Sequence, residues 1–457
     1  MKESLKVGVS GVRGVVGDSF TPQLASGFAQ AFGAFVGQGP VLVGRDTRLS
    51  GFMIERAVVA GLQSVGCKPV LAGIVPTPTV LLLTRQLGCR GGIAITASHN
   101  PGEWNALKFA DRNGLFLDAG RAQELFDIYH QQDFPLAAES DLPAEVEQAY
   151  PMEPHFKAIL NYVDQDLIRR RRFKVAVDCC NGVGALHSPF FLKTLLGCEI
   201  VPVFDTPSGQ FEREPEPLPE NLGVLCETVV REGCDIGFAQ DPDGDRLAIV
   251  NEKGQPIGED LTLAFAVRQV LDRHDSGPVA INLSTSKAVE VVARQRGAEV
   301  IRTRIGETHV ASAMLEIGAV VGGESNGGVI IPRIHPCRDS FASMAVVLEL
   351  MASTGKRVSE LRAEIPEYFV VRDKVPVRSE QAPALLRGLR RHFAAHKLNF
   401  LDGVFVDLGE AWVHVRRSNT EPVIRITAEA PTREQARKLA DEVRAFIQAG
   451  SPFSPQR

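Results

Sequence analysis

Several features that define other classes of protein are missing from this chain of 457 residues. No apolar run reaches the roughly 20 residues that a membrane-spanning helix needs, and aromatic residues make up only 7% of the sequence. Positive charge is not in excess, because 50 Lys and Arg residues are outnumbered by 55 Asp and Glu residues. The sequence therefore lacks the basic footprint of a nucleic-acid-binding protein, and we expect neither a nucleic-acid nor a membrane partner.

Cysteine is scarce as well, and it is not arranged for metal binding. The eight cysteines include no Cys-x-x-Cys pair, and several of them lie in or beside apolar stretches. This usage predicts reduced, buried thiols in a cytoplasmic protein. The first five residues lack the apolar core of a secretion signal, which favours the same location.

What is present is a repeated plan of apolar strands that alternate with helical stretches. The opening strands are predicted at 40–44, 175–178 and 280–283, and the second strands at 69–73, 199–203 and 299–303. Each repeat then reaches a third strand that ends in a polar motif. Such alternation indicates βαβ units with largely parallel sheets, whose ligands gather at the carboxyl ends of the strands.

The fold class predicted from this plan is α/β, with three similar α/β domains of mixed, largely parallel sheets around a central cleft. After about residue 367 the pattern changes to short antiparallel strands, one of them at Phe400-Leu401, followed by a helix over 432–448. That tail predicts a smaller C-terminal α+β domain. The predicted domains are 1–152, 153–257, 258–368 and 369–457.

The first polar motif is Thr-Ala-Ser-His-Asn-Pro, from Thr96 to Pro101, directly after the apolar strand Gly91 to Ile95. A serine in a tight loop at the end of a buried strand is exposed to ligand and held by its neighbours. Ser98 is therefore a candidate nucleophile or phosphoryl carrier. A simple turn-forming serine is the competing interpretation.

The second motif places Asp241, Asp243 and Asp245 at alternate positions after the strand Ile236 to Ala239. Crowded carboxylates are costly unless a cation or an arginine neutralises them. The spacing resembles a calcium loop, but Arg246 stands where that loop needs glycine. Few carboxylates, with a substrate phosphate completing the shell, favour Mg²⁺.

The third and fourth motifs suit a phosphorylated sugar. Glu324, Ser325 and Asn326 lie in a glycine-rich turn, where a carboxylate and an amide can bind vicinal hydroxyls. Near the end of the chain, guanidinium and hydroxyl groups suited to a phosphate dianion cluster together. That cluster consists of Arg416, Arg417, Ser418, Asn419, Thr420 and Arg425.

Taken together and in this order, the four motifs resemble the four active-site loops of the α-D-phosphohexomutases. The resemblance extends over almost the whole chain, from Gly8 to Arg425, and includes the segments 43–48, 105–108, 303–306 and 338–339. It implies a phosphosugar mutase of the isomerase class in which Ser98 carries the phosphoryl group. The aspartates and Ser98 would bind Mg²⁺, and a hexose 1,6-bisphosphate would be both intermediate and activator.

The resemblance also implies roles for residues that the motifs alone do not single out. Catalytic roles near the serine fall to Arg13, Lys108 and His99, and supporting roles to Asn105, Arg246, Gly306 and His309. Two positions depart from the family pattern, because Glu307 and Gly328 stand where the family often has histidine. These departures leave the acid–base pair and the preferred sugar open.

Several functions compete for this site. The motif forms favour glucosamine phosphate as the substrate, with a phosphomannomutase/phosphoglucomutase as the alternative. A metal-dependent sugar phosphatase would use the same serine and cation but has no need of a separate phosphate site. A non-catalytic sugar-phosphate-binding protein would not need an intact nucleophile and metal loop. The expected partner is a small-molecule phosphosugar, and the chain is expected to be a monomer or a homodimer.

Overall fold

A computed structural model describes residues 4–9, 11–143, 146–148, 152–418 and 422–450. Within these residues the chain forms four β-sheets, each built from one contiguous stretch of sequence. The first three sheets mix parallel and antiparallel strands and carry helices, and the fourth is antiparallel. The predicted fold class is therefore confirmed. The domain boundaries near 152, 257 and 368 stay predictions.

The first unit contains a seven-stranded sheet. Its strands are β1 (Lys6–Gly8), β2 (Gly11–Val15), β3 (Pro40–Arg45), β4 (Lys68–Ile74), β5 (Gly91–Ile95), β6 (Trp104–Asp111) and β7 (Glu147–Gln148). Its helices are α1 (Pro22–Val36), α2 (Gly51–Ser64), α3 (Thr77–Gln86) and α4 (Ala119–Gln131). The strand order is β1-β2-β6-β5-β3-β4-β7.

The second unit has a four-stranded sheet. Its strands are β8 (Lys174–Asp178), β9 (Glu199–Val203), β10 (Ile236–Gln240) and β11 (Leu247–Asn251). Its helices are α5 (Met152–Leu160), α6 (Gln165–Arg171), α7 (Gly184–Pro189) and α8 (Gly223–Glu232), with a π-helical turn at Phe190–Leu195. The strand order is β11-β10-β8-β9.

The third unit has a five-stranded sheet. Its strands are β12 (Val279–Asn282), β13 (Val300–Thr303), β14 (Val321–Glu324), β15 (Gly328–Ile331) and β16 (His335–Arg338). Its helices are α9 (Glu259–Arg273), α10 (Lys287–Arg294), α11 (Glu307–Ile317), α12 (Ser340–Thr354) and α13 (Val358–Ala363). The strand order is β13-β12-β14-β15-β16.

The fourth unit is an antiparallel sheet in the order β17-β21-β20-β19-β18. Its strands are β17 (Phe369–Pro376), β18 (Lys397–Asn399), β19 (Val404–Asp407), β20 (Trp412–Arg417) and β21 (Val423–Ala430), and its helices are α14 (Ala382–His392) and α15 (Arg433–Gly450). The strand predicted at Phe400-Leu401 is wrong. These two side chains are about half exposed and lie in the turn after β18, where Arg390 stacks 4.2 Å from the Phe400 ring centre.

The predicted repeat is confirmed by strand pairing in the first three units. In each unit the strand that opens the repeat lies between the other two and pairs with both in parallel, as in β5-β3-β4, β10-β8-β9 and β14-β12-β13. The next strand then returns antiparallel to the third one. The three polar motifs are thus the connections at the carboxyl ends of β5, β10 and β14, where an α/β sheet places its ligands.

The units are joined most tightly around α12. Its residues from Ser340 to Ala352 are all buried, as expected for a helix that is apolar on every side. One hydrophobic cluster extends from the second unit through α9 and α12 into the third sheet. The first unit, which contains Ser98, has a hydrophobic cluster of its own, and so does the fourth unit. The motif of Asp241, Asp243 and Asp245, called the cation motif below, therefore rests on the shared core of the second and third units.

The thiols are free and mostly buried, as the sequence predicts, and Cys226 is half-buried. Burial raises the pKa of Cys67 and of Cys89 to about 11, which keeps these thiols protonated. Among the described helices, none combines the length and the apolar character needed to cross a bilayer.

Candidate active site

A cavity of about 640 Å³ brings residues from all four units together. Ser98, Lys108, Glu324 and Arg425 all line it. A larger cavity, of about 920 Å³, shares Arg425 and Asn326 with it but has neither Ser98 nor Lys108 in its wall. The smaller cavity is therefore the one that contains the chemistry.

Ser98 lies at the carboxyl end of β5 in a strained loop. Its φ of 50° is in the left-handed region, which is uncommon for a residue other than glycine. The Ser98 amide donates to Thr96 Oγ1 at 2.9 Å, and the Ser98 hydroxyl donates to Asp241 Oδ2 at 2.9 Å. His99 Nδ1 is 3.4 Å from the same hydroxyl. The nucleophile predicted from the first motif therefore contacts the cation motif directly.

The serine loop is held by Arg48, a residue that sequence reasoning noted only as part of a matching segment. Its guanidinium donates to the carbonyls of Ser98, Asn100, Pro101 and Trp104 at 2.6 to 3.0 Å. A fifth donor, Nε, pairs with Asp46 Oδ2 at 3.0 Å. All five N–H groups of a fully buried arginine are thus used. No other side chain offers this fork, so Arg48 fixes the loop that presents Ser98.

We expect Arg48→Met to lower the free energy of unfolding by about 3 kcal/mol or more, because Asp46 becomes an unpaired buried carboxylate. Urea unfolding followed by tryptophan fluorescence measures this loss. Arg56→Met is the matched control, since Arg56 is exposed and stacks on the Phe52 ring. Equal stability of the two variants would contradict the positioning role.

The cation motif is a buried loop between β10 and β11. Asp241 Oδ1 accepts the backbone N–H groups of Asp245 and Arg246 at 3.0 and 3.1 Å, which folds the loop back on itself. Thr77, at the start of α3, donates to Asp243 through its hydroxyl at 2.7 Å. From the other side, the Ser340 hydroxyl at the start of α12 donates to the Gly244 carbonyl at 2.6 Å. The loop is therefore fixed by the first and third units together.

The three aspartates fit a divalent cation. One carboxylate oxygen from each lies within 4.8 Å of the others. Within the described structure, the Oδ1 atoms of Asp243 and Asp245 are buried and accept no hydrogen bond. Burial and the two neighbouring carboxylates raise the pKa of Asp241 well above its usual range. Unsatisfied buried oxygens and mutual repulsion are what a hard cation with oxygen ligands relieves.

Lys108 is a buried cation in direct contact with these carboxylates. Its ammonium donates to Asp243 Oδ2 at 2.9 Å and lies 3.9 Å from Asp245. Burial alone would lower the pKa of Lys108, but Asp243 and Asp245 raise it above its usual value. Burial acts to raise the pKa of Asp243, yet Lys108 and Thr77 hold it below its usual range. Lys108 therefore stays charged beside the motif.

Arg13 and His99 line the cavity on the same side as Ser98. Arg13 donates to Asn100 Oδ1 at 3.3 Å. Burial and the neighbouring Arg246 lower the pKa of Arg13, so the guanidinium lacks a full set of compensating anions. Burial and Arg246 also lower the pKa of His99 to about 2, which keeps its imidazole neutral. An anion such as a phosphoryl group would be stabilised here.

The sugar motif, which is the turn from Glu324 to Asn326, faces the same cavity through Glu324. Its carboxylate is buried and accepts hydrogen bonds from Asn282 at 3.0 Å, from the Gly306 amide at 2.8 Å and from Arg338 at 3.0 Å. Asn326 lines both cavities, and Ser325 lines only the larger one. The structure thus brings Glu324 and Asn326, but not Ser325, to the cavity of Ser98.

The phosphate motif, from Arg416 to Arg425, begins at the end of β20 and ends in β21. Arg416 and Arg425 are directly opposite each other across these strands, so they lie on one face of the sheet. Burial and Arg425 lower the pKa of Arg416. Like charges opposite each other are destabilising unless an anion lies between them. The Ser418 amide donates to the Val423 carbonyl at 3.0 Å, while Asn419 and Thr420 lie outside the described residues.

The supporting residues divide into two groups. Asn105 is fully buried and donates to the Ser50 hydroxyl at 2.8 Å, so it braces the first unit. Arg246, Gly306 and His309 line the cavity, and Arg246 pairs with Glu216 at 2.7 Å. Sequence reasoning missed the positioning contacts of Arg48, Thr77 and Arg338. Only their place in matching segments, or beside an apolar strand, gave any signal for them.

Comparison with known proteins gives a consistent result along the whole chain. Family models for phosphoglucomutase/phosphomannomutase match as alpha/beta/alpha domain I at 4–136, domain II at 153–254, domain III at 258–369 and the C-terminal domain at 373–446. A protein of Methanopyrus kandleri described as "Probable phosphoglucosamine mutase" is 40% identical over 438 residues, which is 95% of this chain and 96% of that protein.

Two further relatives extend the comparison. A "Phosphoglucomutase/phosphomannomutase" of Thermococcus kodakarensis is 37% identical and covers 95% of this chain and 96% of its own length. The crystal structure of a phosphoglucomutase/phosphomannomutase family protein from Burkholderia thailandensis has a TM-score of 0.87 at 26% identity and covers 99% of both chains. Because all four domain models match, the chain belongs to the phosphoglucomutase/phosphomannomutase family, the α-D-phosphohexomutases.

Proposed function

We propose that this chain interconverts a hexose 6-phosphate and a hexose 1-phosphate through a phosphorylated Ser98 and a hexose 1,6-bisphosphate. The observation that carries the proposal is the 2.9 Å hydrogen bond from Ser98 to Asp241 in a cavity that Glu324 and Arg425 also line. One cavity is thus lined by a candidate phosphoryl carrier, a hydroxyl acceptor and a phosphate-binding arginine, and the cation motif contacts the carrier directly. A mutase needs this combination because its substrate has two phosphorylation positions.

The first step transfers the phosphoryl group from Ser98 to the free hydroxyl of the sugar. A bond forms between phosphorus and the hydroxyl oxygen while the bond between phosphorus and Ser98 Oγ breaks. The proton of the sugar hydroxyl must end on Oγ as Oγ leaves phosphorus, and His99 Nδ1, 3.4 Å from Oγ, is placed to pass it on. The Lys108 ammonium and the Arg13 guanidinium neutralise charge on the group in transit.

The cation that would fit the aspartate motif is Mg²⁺, which Asp241, Asp243 and Asp245 would hold together with an oxygen on Ser98. When bound, it would supply charge neutralisation for the transferring phosphoryl group. The protein's own contribution is a rigid loop, since Thr77 and Ser340 hold it from two units. That rigidity keeps Ser98 and the aspartates in fixed relative positions, so that no reorganisation energy is needed during the reaction.

The second step returns the other phosphoryl group to Ser98, so the bisphosphate must turn over within the cavity. Either phosphate then has to occupy the distal position, and Arg416, Ser418 and Arg425, with Asn419 and Thr420 of the same motif, are proposed to bind it. Glu324 and Asn326 would bind hydroxyls in both orientations. This two-ended requirement disfavours a phosphatase, whose product leaves after one transfer.

Glucosamine phosphate is the proposed sugar. The relatives with "phosphoglucosamine mutase" in their names support this choice, and the Thermococcus kodakarensis relative supports the alternative of mannose and glucose phosphates. Kinetics with glucosamine, glucose and mannose 6-phosphates, each with a hexose 1,6-bisphosphate activator and Mg²⁺, decide between them. The proposal expects isomerisation with the highest kcat/KM for glucosamine 6-phosphate. Release of inorganic phosphate in place of isomerisation would overturn it.

Arg425→Ala and Ser418→Ala are each expected to raise KM for the phosphosugar by about 10- to 100-fold. The reason is that these groups bind the distal phosphate, which orients the sugar and is not itself transferred. Phosphorylation of Ser98 by the 1,6-bisphosphate should be affected less. Steady-state kinetics and mass spectrometry of the Ser98 peptide measure the two effects.

Arg417→Ala is the matched control for this pair. Arg417 follows Arg416 on β20, so its side chain points to the opposite face of the sheet. We expect the KM of this variant to stay within about twofold of the wild type, since its side chain lies on the face of the sheet away from Arg416 and Arg425. Unchanged KM in Arg425→Ala and Ser418→Ala would mean that the fourth unit does not bind the distal phosphate.

A further inference from the structure

Arg338 joins three loops of the cavity through one side chain. Its Nη2 donates to Asp245 Oδ2 at 2.6 Å, and its Nη1 donates to Glu324 Oε2 at 3.0 Å. Its Nε donates to Glu307 Oε2 at 3.1 Å, and its backbone N–H donates to Glu307 Oε1 at 2.9 Å. The side chain is 10% exposed. A single buried guanidinium therefore contacts the cation motif, the sugar motif and the start of α11.

The chemistry of these contacts requires arginine. Three carboxylates converge on one cation, and burial makes each of them costly without a donor. The planar guanidinium presents its N–H groups in a fixed fork, whereas a lysine ammonium is a single point. The fork thus sets the distance between Asp245 and Glu324, two residues that come from different units and have different ligands in the proposed reaction.

Both positions that depart from the family pattern lie against Arg338. A Cβ atom on Gly328 would lie 2.2 Å from Cδ of Arg338 and 2.9 Å from its Cγ, so only glycine leaves room for the stem. Glu307, the second departure, supplies the carboxylate that holds Nε. The two replaced positions thus form one environment, built around a single side chain.

We propose that Arg338 is a positioning residue that keeps the cation motif and the sugar motif in register, so that binding of a divalent cation and of the phosphosugar both depend on it. The sugar half of this inference rests on the proposed function, because it takes Glu324 as the hydroxyl acceptor. The cation half rests only on the contact with Asp245.

The test compares Arg338→Lys with wild type by calorimetry, using Mn²⁺ alone and then glucosamine 6-phosphate in the presence of Mn²⁺. Loss of the charge-assisted fork is expected to weaken both affinities by about tenfold. Arg333→Lys is the matched control, because Arg333 is exposed in the turn before β16, where it pairs with Asp275 at 2.8 Å and lies over the Tyr162 ring. It should leave both affinities unchanged.

Gly328→Ala provides a second variant that keeps the charge and displaces the Arg338 stem. It is expected to weaken both affinities in the same direction as Arg338→Lys. Wild-type affinities in both variants, or weakening of only one ligand, would overturn the role of Arg338. A wild-type protein that binds Mn²⁺ but no hexose phosphate would instead overturn the proposed function, and the Mn²⁺ measurement would still decide the cation half.

Discussion

Replacement of Ser98 by alanine is expected to reduce mutase activity by roughly 10⁴-fold or more, because the variant lacks the hydroxyl oxygen proposed to carry the phosphoryl group. The rest of the loop should survive, since Arg48 holds it through backbone carbonyls and not through the serine hydroxyl. Assay of isomerisation with saturating bisphosphate activator measures the loss, and mass spectrometry should find phosphate on Ser98 only in the wild-type protein.

Ser64→Ala is the control for that experiment. The Ser64 hydroxyl donates to the Gly61 carbonyl at 2.7 Å within the first unit, and Ser64 does not line the cavity. Its activity should match that of the wild type. Undiminished activity of Ser98→Ala would show that another group carries the phosphoryl, and the assignment of the serine motif would fail.

Asp243→Asn should reduce the rate by about 10²- to 10³-fold, because it weakens the cation site and removes the charge that Lys108 faces. The Oδ1 oxygen of Asp243, which accepts no hydrogen bond in the described structure, is the atom expected to bind the cation. A chelator should produce a similar loss in the wild-type enzyme. Calorimetry should show weaker Mn²⁺ binding by the variant.

Asp235→Asn serves as the control for this variant. Asp235 lies just before β10 in the same unit, where its carboxylate is exposed and accepts the Lys174 amide at 2.8 Å. It should change neither the rate nor the Mn²⁺ affinity. A cation site in this loop would be contradicted if Asp243→Asn were as active as Asp235→Asn and a chelator had no effect on the wild type.

The parts of the fold that could be predicted from the sequence are those with local signals. Three apolar strands per repeat and a polar motif after each third strand were enough to predict that Ser98, Asp241 and Glu324 lie at strand ends. The Phe400-Leu401 prediction failed because two adjacent apolar residues in an exposed turn look like a strand. Nothing in their immediate sequence shows that Arg390 covers the ring from α14.

Contacts made by long charged side chains could not be predicted. Arg48 reaches carbonyls more than 50 residues away, and Arg338 reaches Asp245, 93 residues away. Both contacts depend on which loops the sheets bring together, and no local periodicity contains that information. Thr77 is a similar case, because a threonine that begins a helix is expected to cap its own helix, whereas its hydroxyl donates to Asp243 in another unit.

The most direct test of the account follows the phosphoryl group itself. Protein phosphorylated on Ser98 with ³²P is mixed with unlabelled glucosamine 6-phosphate and Mg²⁺, and the label is traced over a single turnover. Transfer through phosphorylated Ser98 predicts that label leaves Ser98 and appears in the sugar phosphates, including the 1,6-bisphosphate, while unlabelled phosphate takes its place on Ser98. Label that appears as inorganic phosphate, or that stays on the protein while isomerisation proceeds, would contradict it.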